Sequence, residues 1–136
     1  MKRTILTILL STIFFSAFSQ VIKCKADAIA IKTKNEYTDR WSDWSKWEEV
    51  DILITIDPTN DRIKVFSKKD QVYDIIQSYG ETYDNDGDKT IKWQCVNEDG
   101  LKCIVRLVKL YSVDGKSQLY IDFADMMWVY NIYKLD

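Results

Sequence analysis

The side chains best suited to covalent or metal chemistry are three cysteines, Cys24, Cys95 and Cys103, and 21 acids; the sequence holds no histidine. That removes His-based triads, His-ligated metal sites and histidine pH switches. It also leaves no imidazole to activate a cysteine nucleophile. A pair of carboxylates can hydrolyse glycosides, so a carboxylate hydrolase is the third functional reading. The acids are spread over turns and polar faces, however, and no pair stands out. There is no Gly-rich phosphate loop and no Gly-x-Ser-x-Gly. Neither enzymatic activity nor a cofactor is expected. The cysteines carry a structural expectation instead. In Cys95-Val96-Asn97-Glu98-Asp99-Gly100-Leu101-Lys102-Cys103, Asn97 opens a type I turn and Gly100 takes the left-handed bulge position. This three-residue loop pairs Asn97 with Leu101. It therefore sets Cys95 against Cys103, Trp93 against Val105 and Ile91 against Leu107. The pair Cys95–Cys103 is a disulfide candidate, with buried free thiols and a bond involving Cys24 as the other outcomes.

Asp84-Asn85-Asp86-Gly87-Asp88 places carboxylates at alternate positions and resembles the first half of an EF-hand loop. The glycine falls fourth instead of sixth, and Cys95 stands where the bidentate Glu belongs. Asp84, Asp86 and Asp88 are read as an acidic hairpin loop, at most a weak Ca²⁺ candidate. No tight metal site is expected.

Arg40-Trp41-Ser42-Asp43-Trp44-Ser45-Lys46-Trp47 repeats tryptophan every third residue. Trp-Ser-x-Trp-Ser resembles the cytokine-receptor box, whose tryptophans stack between arginines of a neighbouring strand. The threefold spacing resembles a thrombospondin repeat. The receptor box comes late in its sandwich domain, whereas this one comes early, in a chain with four arginines. The thrombospondin repeat needs six cysteines. Neither family is carried over. Positions 41, 44 and 47 change parity along a strand but share one face of a helical turn. Residues 34–47 are expected to be a loop or short helix. They form either a plug over one end of the fold or an aromatic platform for a sugar ring or a partner's apolar anchor. Trp41, Trp44 and Trp47, with the exposed-looking Tyr120, Tyr130 and Tyr133, are the candidate ligand- or partner-binding residues.

The elements that must position these groups lie beyond a leader. Met1-Lys2-Arg3 precedes an apolar run, Ile5 to Phe18, with small residues near Ser19. This is the layout of a secretory signal peptide over residues 1–19. Its apolar run is short for a membrane span, so no span is expected after cleavage. The ending Phe18-Ser19-Gln20 resembles leaders of secreted Bacteroidota proteins, which implies a secreted or periplasmic protein of such a bacterium or an associated phage. Cleavage removes Lys2 and Arg3 and no acid, so the net charge falls from −2 to −4. With no basic block, nucleic-acid binding is disfavoured.

Residues 20–136 read as one domain, because 46% apolar and 29% charged content suits a single core and four glycines with one proline leave no linker. Asp57-Pro58-Thr59-Asn60, Asp86-Gly87, Asp99-Gly100 and Asp114-Gly115 spell turns. Between them, Val50 to Ile56, Ile63 and Val65, Tyr73 and Ile75, Ile91 to Cys95, Cys103 to Leu107 and Leu119 to Phe123 alternate with polar residues. Period-two runs are half-buried strands. Residues 127–133 add a last strand, and Ala28 to Thr33 a first. The expected fold is all-β, an up-and-down barrel of lipocalin or calycin style with seven or eight strands; a two-sheet sandwich is the runner-up.

Two functions fit such a domain. The first is a non-enzymatic interaction protein that docks on another protein. The second is a small-ligand-binding barrel for an apolar or sugar-like molecule. The inward residues discriminate them: Trp93, Phe123 and Trp128 fill an eight-strand interior and favour docking.

Overall fold

The computed structural model describes residues 21–135, and the leader expectation for residues 1–19 lies outside them. Eight strands follow in order: β1 (Ile22–Thr33), β2 (Glu48–Asp57), β3 (Arg62–Phe66), β4 (Gln71–Tyr83), β5 (Lys89–Asn97), β6 (Lys102–Leu110), β7 (Lys116–Asp122) and β8 (Met126–Lys134). Each pairs antiparallel with the next, and β8 returns to β1, so the sheet closes into an up-and-down barrel. Closure gives every strand two hydrogen-bonded neighbours, which an open sandwich cannot do at its edges.

From β2 to β7 the inward set is the one the alternation predicts. Ile54, Ile63, Val65, Cys95, Val105, Leu119 and Ile121 are completely buried. Together with Tyr73, Tyr130 and Ile132 they form one cluster, and Trp93, Phe123 and Trp128 pack against it. An eight-stranded barrel is just wide enough for its own side chains to fill.

The β5–β6 hairpin has the expected register. Asn97 N–H donates to the Leu101 carbonyl at 2.9 Å, and Gly100, at φ 79°, supplies the left-handed bulge. Cys95 faces Cys103, Trp93 faces Val105 and Ile91 faces Leu107. The disulfide is a correction: all three cysteines are free and buried. Two residues from the Asn97–Leu101 hydrogen bond, the cysteine pair falls at the wider hydrogen-bonded position, where side chains diverge. Burial pushes both thiols up to about 12 and raises Cys24 as well, so none is a ready nucleophile.

Two further differences have one cause, the β-bulge. β1 begins at Ile22, six residues before the expected first strand, because a register shift between Ala26 and Ala28 breaks its alternation. In β4 the pattern break at Ile76 is a bulge between Ile75 and Gln77, which turns Ile76 outward.

Candidate functional site

The tryptophan segment is neither a helix nor a plug. Among the described residues no helix occurs at all. After β1 the chain makes a tight excursion. The Asn35 side-chain oxygen accepts the Tyr37 and Thr38 N–H groups at 2.8 and 3.1 Å, and Asp39 sits at φ 61°. Asn and Asp suit both roles, bonding nearby backbone and tolerating the left-handed region. The chain then returns beside the end of β1, bridging at Lys34 and Trp41.

Ser42 N–H donates to the Thr33 carbonyl and Ser45 N–H to the Ile31 carbonyl, both at 2.8 Å. The serine hydroxyl oxygens accept the N–H groups of the same two residues, at 3.0 and 2.9 Å. Three residues of loop thus match two of strand. The hydrogen bonds bring every third residue of the segment, Ser42 and Ser45, against β1. The serines seal a stretch of β1 that β2 does not reach.

The tryptophans therefore lie on the outer wall. Lys32 Nζ sits 4.7 Å from the Trp44 ring and 5.6 Å from Trp41, with Lys34 Nζ 6.0 Å from Trp41. Lys34 also meets the Asp39 carboxylate at 3.3 Å. Trp44 meets Tyr120 edge-on at 6.1 Å, and Arg106 lies over the Tyr120 ring at 4.1 Å. Arg106 in turn grips Asp122 with two bonds, at 2.5 and 3.2 Å. The result is one run of cations and rings, Lys34, Trp41, Lys32, Trp44, Tyr120 and Arg106, in which each exposed cation–ring contact is worth about 0.5–1 kcal/mol. Beneath it the outward residues Ala30 and Val129, paired with each other, are 2% and 3% exposed. The cations over the tryptophans are Lys32 of β1 and Lys34 just beyond its end.

The other candidates separate. Tyr120 is half-buried, and its hydroxyl donates to Gln118 at 2.8 Å. Tyr130 is corrected: it is 1% exposed and faces inward opposite Leu119, in the core rather than on a binding surface. Tyr133 is exposed but stands beside Lys25, outside the stack. Trp47 follows the series and is 49% exposed, one step beyond the Ile29–Glu48 pair. Tyr37, at the tip of the excursion, is 89% exposed and was not singled out from sequence. Its place between Asn35 and Asp39 was the available signal, since turn tips are exposed.

The acidic loop is held by its own bonds. The ligand oxygens of Asp84, Asp86 and Asp88 lie within 4.8 Å of one another. Asp84 Oδ1 already accepts the N–H groups of Asp86 and Asp88, at 2.9 and 3.0 Å. Asp88, 6% exposed, accepts the Ser112 N–H at 2.9 Å and its hydroxyl at 2.7 Å, fastening the β4–β5 turn to the β6–β7 turn. These bonds hold its carboxyl below the ordinary carboxylate range. A depressed folded-state value contributes stability above the unfolded value of about 3.9, and that contribution is lost as pH falls through the lower folded value. Asp88→Asn is therefore expected to be less stable than wild type at neutral pH, with the gap closing in acid. Urea unfolding across a pH series checks this, and a gap that does not change with pH would refute it.

Each end of the barrel carries a cleft. One, of about 230 Å³, lies beside Gln71, Tyr73, Phe123 and Trp128. The other, of about 270 Å³, lies at the rim formed by the start of β1, the start of β5 and the ends of β6 and β8. Fold and site together define a closed, eight-stranded antiparallel barrel with a filled middle and a braced aromatic stripe outside. No family model, no curated protein and no solved structure matches the chain.

Proposed function

We propose that this is a secreted or periplasmic, non-enzymatic interaction protein that docks on another protein through the segment 34–47. The observation that carries the reading is the exposure of Tyr37, Trp44 and Trp47, at 89%, 39% and 49%, on a segment that hydrogen bonds and cation–ring contacts hold in one conformation. Large rigid aromatics offer contact area with little ordering entropy, and tryptophan and tyrosine dominate binding hot spots. The filled interior supports docking over a ligand held at the barrel's centre.

The test uses the whole chain as bait for the proteins of its native periplasm, followed by binding titrations of the captured partner. Trp47→Ala combined with Tyr37→Ala is expected to weaken that binding about ten-fold or more. Tyr133→Ala, exposed but off the segment, leaves it unchanged. Equal binding by the double variant, or loss with Tyr133→Ala alone, overturns the assignment.

A further inference from the structure

The barrel end that carries the larger of the two mouth clefts has an unusual rim. Lys89 and Lys109 are direct partners on β5 and β6, two residues beyond the inward pair Ile91–Leu107. They therefore also point inward, at the mouth. Lys134 pairs with the buried, inward Cys24 across β8 and β1, so it shares that orientation. All three lysines line the cleft of about 270 Å³, and its floor is apolar: Ile22, Ile91, Leu107 and Ile132.

Like charges placed directly opposite in a sheet are destabilising. Lys89 is partly relieved by Glu81, at 3.8 Å. Lys109 leans over the Tyr111 ring at 5.6 Å. Among the described residues neither Lys109 nor Lys134 has an ion pair. An acidic chain that turns three lysines toward one apolar cleft concentrates positive potential there, and a mouth with low-dielectric walls focuses it. The volume lies just below the range of about 300–1,000 Å³ typical of ligand pockets, so a bound apolar part must be short.

We infer that this mouth binds a small carboxylate amphiphile, its headgroup between Lys109 and Lys134 and its short chain on Ile22, Ile91, Leu107 and Ile132. The site lies on different residues from the docking segment, so either assignment can fail while the other stands.

Octanoate is the probe, titrated by calorimetry and by methyl chemical shifts of the intact chain. Octanoate is expected to bind, to shift the Ile22, Ile91, Leu107 and Ile132 methyls, and to outcompete octanol and octylammonium by about ten-fold. The double variant Lys109→Gln, Lys134→Gln, at two exposed rim positions that hold no ion pair among the described residues, should lose about ten-fold in affinity. Unshifted floor methyls, unchanged affinity in the double variant, or inorganic phosphate binding as tightly as octanoate would each overturn the inference.

Discussion

Tyr130→Ala is expected to lower the unfolding free energy of the barrel by about 3–5 kcal/mol, the range for removing a buried aromatic. The ring is 1% exposed and faces inward between Leu119 on β7 and Ile29 on β1. Burial raises the pKa of its hydroxyl, so the group stays protonated and polar inside the core. A small domain is stable by only about 5–15 kcal/mol in total, so this one truncation brings the chain close to unfolding. Tyr130→Phe keeps the packing and should cost about 1 kcal/mol. Urea denaturation of both variants is the measurement. A loss from Tyr130→Ala below that of Tyr130→Phe would place the ring outside the core.

Arg106→Ala carries the second large effect, a loss of about 2–3 kcal/mol. Two bonds to Asp122 and the stack on Tyr120 disappear together, and Asp122, 15% exposed at its side chain, is left without its cation. Arg106→Lys should recover less than half of the loss. An ammonium cannot reproduce the planar fork that meets both carboxylate oxygens while its face covers a ring. The loss should persist in high salt, because a pair this shielded from solvent is screened less than the exposed Arg62–Asp74 pair. The tryptophan fluorescence of the variant is a second readout, since Trp44 rests against Tyr120. If Arg106→Lys matches wild type, the forked contact is not what stabilises this side of the barrel.

How far the sites were legible differs residue by residue. The tryptophan triplet stood out by spacing, and its common face was expected, but on a helical turn. A non-helical loop that meets β1 at every third residue shares that spacing, and only the hydrogen bonds to Ile31 and Thr33 distinguish the two. Tyr130 was misplaced for a different reason. In Met126-Met127-Trp128-Val129-Tyr130 no polar residue alternates, so the mark of the inward face is parity with the inward Trp128, which Tyr130 shares. A charged residue at a strand end reads as solvent-facing, whereas parity within the barrel turns Lys89 and Lys109 toward its axis.

What the sequence determined by itself is the set of local relations: strands from period-two alternation, turns from Asp, Asn and Gly chemistry, and the pairing of Cys95 with Cys103 from a single three-residue loop. These depend on neighbours a few residues apart, where backbone sterics and hydrogen bonding decide. The relations that cross the ring arise only when the sheet closes. Joining β1 to β8 sets Lys134 beside Cys24 and brings Tyr120 within reach of Trp44. The bulge at Ala26–Ala28 reverses the parity of half of β1, and so puts Lys32 on the outer wall under the tryptophans. Such contacts are chosen by the closure of the whole sheet and the packing of its interior, a collective condition that no short stretch of chain encodes.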